Sequence, residues 1–332
     1  MSNFGLHTTA EEVATVFKDS IAGKTVLITG CSPDGLGAEA ARVIALHKVA
    51  LIVLAGRSVS KCEETARTIK LQSPDVSTRI LQIDLASQAS VRRAAAEVNS
   101  YDESIDILVN NAAVMAIPTL TKTIDGIECQ LGTNYIGPFL FTNLIMPKIL
   151  AGEKGAKIVN VSSKGYLHSP VDLNDPNFEK KEYRKWEAYG QSKTAIILFS
   201  KALAKKLGPK GVISYSVDPG AIASTNLKRD ITEADFNFLI SKFPDTKLIT
   251  LEQGAATYLA AAFDTSLQSK SRKLLQLFVC LSLVSDASED GELLTLFRPT
   301  ILQPEITWFH EKDDVEKLWT LSEDIVGQKF KY

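Results

Sequence analysis

Thr25-Val-Leu-Ile-Thr29-Gly30-Cys-Ser-Pro-Asp-Gly35-Leu-Gly37 is the stretch whose reading decides the fold. Its first five residues are rich in β-branched side chains and show no polar alternation, as expected of a strand buried on both faces. A glycine-rich turn follows at once, and a helical pattern over 38–46 follows the turn. Glycines in such a place let the backbone approach a pyrophosphate, while the helix N-terminus offers N–H donors and the positive end of its dipole. Taken alone, an ordinary glycine-rich strand-to-helix turn would read the same way.

The rest of the chain repeats the alternation. Strands are expected over 50–55, 77–83, 105–109, 157–161 and 212–217, and helices over 61–71, 90–98, a long stretch at 124–150, and 186–207. Apolar strands separated by helices imply an α/β fold with a doubly wound parallel β-sheet of Rossmann type, its crossovers right-handed. The rhythm fails after about residue 220, where a helix over 251–263, an irregular stretch over 266–300 and a last amphipathic helix over 314–326 are expected. Residues 1–332 read as a single domain, with 24–225 as its nucleotide-binding core and 226–332 as a substrate-side and C-terminal extension. Residues 271–288 fit no element cleanly, and an edge strand is expected at 277–284.

Composition sets limits. Among 332 residues, 45% are hydrophobic and 23% charged, which suffices for a sizeable core. A formal net charge of −2 gives no electrostatic reason to expect nucleic acid or an anionic membrane. Cys31, Cys62, Cys129 and Cys280 are widely spaced, without a C-x-x-C pair, and the histidines are as scattered, so neither a disulfide framework nor a metal site is expected. Residues 9–17 read as a capped amphipathic helix (Thr9-Ala-Glu-Glu12) rather than a signal peptide. The most apolar late stretch, 274–284, is too short to span a bilayer. The expectation is a cytoplasmic protein without an integral membrane segment.

The chemistry-bearing residues come in a fixed order: Asn110-Asn111-Ala112-Ala113, Asn134, Ser162-Ser163, then Tyr189 and Lys193. A Tyr and a Lys at i,i+4 share one helix face, where an ammonium can lower the phenol's pKa and make it a proton donor. The residues after the second strand bear on cofactor choice. An acidic residue there would accept hydrogen bonds from a ribose 2′-hydroxyl; here the chain reads Ala55-Gly-Arg57-Ser58. Arg57 can grip a 2′-phosphate through paired hydrogen bonds, so NADP (NADPH) is expected over NAD. Asp84, at the end of the third strand, is placed either to reach the adenine or to cap its own loop.

Over at least residues 24–225 this sequence resembles the short-chain dehydrogenase/reductase family, and within it the retinol-dehydrogenase-like and fungal biosynthetic members. The family's glycine turn matches Gly30, Gly35, Leu36 and Gly37, with one extra residue in the middle. Its Asn-Asn-Ala-Gly signature appears as Asn110-Asn111-Ala112-Ala113. The resemblance implies catalytic roles for Asn134, Ser163, Tyr189 and Lys193. Ser163 would hydrogen-bond the reacting oxygen and Tyr189 deliver the proton; Lys193 would hold the nicotinamide ribose, and Asn134 would position a water leading to solvent. It further implies cofactor contacts from the glycine turn, Asn110, Asn111, Tyr189, Lys193, Ile222 after the Pro219-Gly220 turn, and either Ser224 or Thr225. Family members often pair through the long helices after strands four and five, here 126–150 and 188–207, so a homo-oligomer is one expectation and a monomer enforced by the C-terminal mass the other.

The resulting expectation is an NADP(H)-dependent oxidoreductase acting on a ketone or aldehyde, or the corresponding alcohol, of a lipophilic small molecule in secondary metabolism. A catalytically silent NADP(H)-sensing protein is the alternative. Residues 166–186 and 225–247 should build the substrate side. Their aromatic and apolar residues (Tyr166, Phe178, Tyr183, Trp186, Phe236, Phe238, Leu239, Phe243) could line a hydrophobic pocket or equally pack the core. The basic run 180–185 reads as a solvated helix face.

Overall fold

The computed structural model describes residues 4–152, 155–222, 225–244, 246–267, 280–282, 299–300 and 312–332. Six strands, β1 (Thr25–Thr29), β2 (Leu51–Gly56), β3 (Ser77–Gln82), β4 (Ile107–Asn110), β5 (Lys157–Val161) and β6 (Ile213–Asp218), form a parallel sheet in the order 3-2-1-4-5-6. Side chains alternate across the pleat. Accordingly Leu27, Val53 and Ile158 belong to one core, with Phe139 and Phe199, while Val26, Ile28, Ile52 and Val159 belong to the other, with Tyr258. Both faces of the central strands are covered, which is why β1 and β2 carry no polar alternation, whereas the edge strand β3 has exposed ends. The strand order reverses between β1 and β4, and in open α/β sheets ligands bind at such a point, outside the carboxyl ends of the strands.

The first helices are α1 (Ala10–Val16), closed by the expected Thr9–Glu12 capping box, and α2 (Lys18–Ile21). Helices α3 (Leu36–Ala45), α4 (Val59–Gln72) and α5 (Gln88–Asn99) connect β1 to β4. The expected long helix at 124–150 is broken instead into α6 (Cys129–Leu131), a π-turn (Gly132–Ile136), α7 (Gly137–Leu144) and α8 (Met146–Leu150). Pro138 and Pro147 stand in the first turns of α7 and α8, where a missing N–H costs least. Helix α9 (Lys185–Leu207) starts one residue before its expected position. Residues 180–184 precede it as a loop, so the basic run is not a helix face: Lys181 pairs with Asp172 at 2.8 Å and lies 4.6 Å from the centre of the Phe178 ring.

Beyond β6 lie a two-residue pair, β7 (Ala221–Ile222) with β8 (Leu248–Ile249), and the helices α10 (Glu233–Lys242) and α11 (Leu251–Phe263). Strand β9 (Cys280–Ser282) adds to β6 in parallel and β10 (Pro299–Thr300) pairs with β9 antiparallel. The expected edge strand is thus present at its centre, while 277–279 and 283–284 lie outside the described residues. The last helix, α12 (Lys312–Val326), packs across α7 and α9. Trp319 stands 5.1 Å from Phe139 and 6.2 Å from Phe199, Tyr135 and Ser322 share a hydrogen bond of 2.6 Å, and Glu316 pairs with Lys205 at 2.8 Å. Part of the surface of α7 and α9 is thus covered by the chain's own C-terminal helix.

The closest packing in this layer is at Gly137, where a Cβ would collide with the Leu85 carbonyl. Gly137→Ala should lower stability by about 1–3 kcal/mol through overpacking. Gly208, at φ −52° with nothing within 4 Å of an added Cβ, should accept alanine with no loss. Denaturant melts of the two variants check this, and equal losses would refute the packing account.

Candidate active site

The glycine turn is built around the end of β1. Gly30 has φ +78°, and a Cβ there would lie 2.8 Å from both the Ala112 Cα and the Asn111 Nδ2. Only glycine lets the two strand ends approach this closely. Asn111 Nδ2 donates to the Thr29 carbonyl at 2.7 Å and to the Gly30 carbonyl at 3.1 Å. Thr29 Oγ1 in turn accepts the N–H groups of Asn111 and Ala112 at 3.0 and 3.1 Å. From α11, the Tyr258 hydroxyl donates to Asn111 Oδ1 at 2.8 Å. Asn111 therefore locks the turn. Asn110 is buried and donates to Thr142 and Asn160, joining β4 to α7 and β5.

The extra residue in the turn is absorbed by Asp34 at φ +59°. Helix α3 then begins at Leu36, with Gly35 as an N-cap that offers no side-chain hydrogen bond. Its first N–H groups have no capping side chain of their own, and the glycines leave the backbone bare beside them. That donor set fits the pyrophosphate of a dinucleotide.

The adenosine end would lie past β2. A cavity of about 570 Å³ there is lined by Arg57, Asp84, Ser87, Arg93, Lys122 and Cys129. Arg57 is exposed at its mouth. Asp84 serves its own loop, accepting the Ala86 N–H at 3.0 Å while also facing this cavity.

The candidate proton-transfer groups meet between β5 and α9. Tyr189 and Lys193 lie one turn apart on α9, both 3% exposed, with Ser163 at the end of β5 opposite them. A Cβ at Gly165 would lie 2.5 Å from Tyr189 Cε1, so the ring rests directly on that backbone. Lys193 Nζ donates to the Val161 carbonyl at 3.0 Å and lies 5.5 Å from the Tyr189 ring centre. Burial pushes the Tyr189 hydroxyl well above its ordinary pKa, partly offset by its hydrogen bond with Ser163 and reinforced by Asp218. Burial also brings Lys193 down to about 8, with Asp218 opposing. The expected lowering of the phenol by Lys193 is not seen: desolvation raises it, and the group that opposes the rise is Ser163.

Asn134 lies in the π-turn. Its Nδ2 donates to the Val114 carbonyl at 2.9 Å and to Ser192 Oγ at 3.0 Å, and its Oδ1 accepts the Val114 N–H at 2.8 Å. The side chain braces the loop after β4 against α9.

On the substrate side the aromatic residues divide. Trp186 stands 6.2 Å from Tyr189 and stacks on Phe238 at 6.1 Å; His168 stacks on Phe238 at 5.7 Å and meets Phe243 edge-on at 5.5 Å. Burial, aided by Lys242, lowers the His168 pKa. Asp235 of α10 ties this wall down, accepting from Lys185 at 2.7 Å and from Trp186 Nε1 at 3.1 Å. The others face elsewhere. Tyr166 is in the core, Phe178 packs on Tyr183, the Tyr183 hydroxyl donates to the Ile117 carbonyl, and Phe236 is 45% exposed. Ile222 is buried in β7 and Thr225 is half-buried, while Ser224 lies outside the described residues. Among the described residues no group of three or more His, Cys, Asp or Glu could hold a metal, and no helix is long and apolar enough to cross a membrane.

A glycine-rich turn at the sheet's switch point, with half-buried Ser163 beside buried Tyr189 and Lys193, is an arrangement suited to a nucleotide-dependent oxidoreductase. The family model described as short chain dehydrogenase matches residues 24–235. The chain is 36% identical to human retinol dehydrogenase 13 over 74% of each protein. It is 34% identical to the short-chain dehydrogenase/reductase prx1 of Penicillium roqueforti, over 92% of this chain and 85% of that one. A solved structure of a protein from Mycobacterium Paratuberculosis superposes with TM-score 0.69 at 28% identity, covering 94% of this chain and 96% of that one. The chain belongs to the short-chain dehydrogenase family, in its retinol-dehydrogenase-like and fungal branch, and is an oxidoreductase of that type using a nicotinamide cofactor.

Sequence reasoning missed Tyr258, His168 and Asp235, and it missed the hydrogen bonds accepted by the hydroxyl of Thr29 in the glycine turn; these roles appear only through contacts with residues distant in the chain. Tyr258→Phe would leave Asn111 Oδ1 without this donor and loosen the turn. Nucleotide binding followed by fluorescence titration should weaken about tenfold, the scale of one lost hydrogen bond. Unchanged affinity would show that Tyr258 does not support the turn.

Proposed function

We propose that the chain is an NADPH-dependent reductase of a ketone or aldehyde on a lipophilic small molecule, or oxidises the corresponding alcohol, in secondary metabolism. The observation that carries this reading is the Tyr189 hydroxyl, buried beside Ser163 with Lys193 one turn away. When bound, the cofactor supplies the hydride. The glycine turn and the N-terminus of α3 would hold its pyrophosphate, and Arg57, with Arg93 and Lys122 in the same cavity, would favour a 2′-phosphate.

The chain's own groups do the rest. Ser163 hydrogen-bonds the carbonyl oxygen as charge grows there; such a donor contributes roughly 2.7–4 kcal/mol where one has been removed from an oxyanion hole. Tyr189, protonated because burial raises it, gives its proton to that oxygen. Lys193 holds the ribose, and Asn134 keeps the β4 loop and α9 in register. The Trp186–His168–Phe238–Phe243 wall favours an apolar substrate, with residues 226–332 supplying part of that wall as an extension of one catalytic unit.

NADPH should bind in preference to NADH, and Arg57→Ala should abolish the preference while leaving NADH binding intact. Against lipophilic ketones, Tyr189→Phe should cut kcat by about 10²–10⁴. Binding of both nucleotides without turnover of any carbonyl would support a sensing role instead.

A further inference from the structure

Helix α10 is joined to α9 through one buried side chain. Among the described residues, every hydrogen bond and ion pair from α10 to another element ends on Asp235, which is 5% exposed. Lys185 Nζ lies 2.6 Å from its Oδ1 and 2.7 Å from its Oδ2, and Trp186 Nε1 donates to Oδ1 at 3.1 Å. At the start of its own helix, Oδ2 accepts the Thr232 N–H at 2.9 Å and the Thr232 hydroxyl at 2.7 Å, as half of a capping box. Capping explains an acid at this position. It does not explain burial, since Glu12 fills the same place in the capping box of α1 from an exposed position. Burial alone would raise the Asp235 carboxyl, yet the Lys185 ammonium and the Thr232 donors hold it well below the usual carboxylate range.

The two donors on α9 stand one turn ahead of the reacting group, Lys185 four positions and Trp186 three positions before Tyr189. The Trp186 ring meets Tyr189 almost at right angles, at 84° and 6.2 Å, and lies 27° from the plane of Phe238 on α10. His168 is 36° from Trp186 and 25° from Phe238, so these three rings run nearly parallel. Tyr189 itself rests on the Gly165 backbone, independently of α10. We infer that Asp235 is a positioning residue that sets specificity: acting through Lys185 and Trp186, it seats Phe238 and the indole as one surface beside Tyr189, along which the apolar arm of the substrate lies while its carbonyl meets Tyr189. This deepens the proposed reduction of a lipophilic carbonyl and rests on it. The substrate so selected carries an extended apolar arm, and a ketone too short to reach the rings gains nothing from the seat.

Asp235→Asn keeps the shape and one acceptor while removing the partner of the Lys185 ammonium. At saturating NADPH, kcat/KM for methyl nonyl ketone divided by kcat/KM for methyl ethyl ketone should fall about tenfold in the folded variant, the loss lying in KM for the long ketone. A purely structural role would lower the melting temperature and depress both ketones alike. An unmoved ratio in folded Asp235→Asn would therefore overturn the inference. Should that variant not fold, Lys185→Met breaks the ion pair while leaving Trp186 and its acceptor in place, and an unmoved ratio there would overturn it. Trypsin cleavage at the exposed Arg229 and Lys242, located by mass spectrometry, gives a readout without turnover and should speed up several-fold in Asp235→Asn as α10 loosens. A wild type that reduces neither ketone would contradict the functional reading, and unchanged cleavage at these two sites would separately overturn the seating by Asp235.

Discussion

The site depends on how closely the ends of β1 and β4 approach. Gly30 leaves room for the Ala112 backbone, and Asn111 spans the gap with hydrogen bonds to the Thr29 and Gly30 carbonyls. Without that contact the turn would have no fixed relation to the loop that follows β4. That loop is tied to Asn134 through Val114, and Asn134 is tied to α9 through Ser192. A short chain of hydrogen bonds thus links the glycine turn to the helix that carries Tyr189 and Lys193. Tyr258 adds a further tie from α11.

Desolvation sets the chemistry once this frame is in place. Tyr189 and Lys193 are both withdrawn from water, which favours the neutral phenol and disfavours the ammonium. A neutral phenol suits proton donation to a developing alkoxide. The ammonium is harder to keep, and the groups around it become important for that reason. The Val161 carbonyl accepts from it directly.

Much of the fold was legible because both faces of the sheet are covered. Short runs dominated by Val, Ile and Leu, such as 25–29 and 157–161, mark buried strands, and their spacing by helices leaves a parallel sheet as the simple solution. The broken helix at 129–150 was less legible: its apolar pattern is continuous, and neither proline alone distinguishes a helix start from a kink. In the site, Ser163, Tyr189 and Lys193 were readable because strand-end position and helical spacing bring them together. The aromatic wall was not, since Trp186, Phe238 and Phe243 are joined by a fold-back of residues 225–247 that no local periodicity specifies. Asp235 and Tyr258 act at separations of 49 and 147 residues, beyond any local pattern.

The measurement that tests the central claim most directly is transfer of label from NADPH deuterated at the hydride-donating carbon to a lipophilic ketone, followed by mass spectrometry of the alcohol. The account predicts one deuterium on the carbinol carbon, with Tyr189→Phe forming little labelled product. A wild-type protein that binds the nucleotide yet yields no labelled alcohol from any carbonyl offered would contradict it.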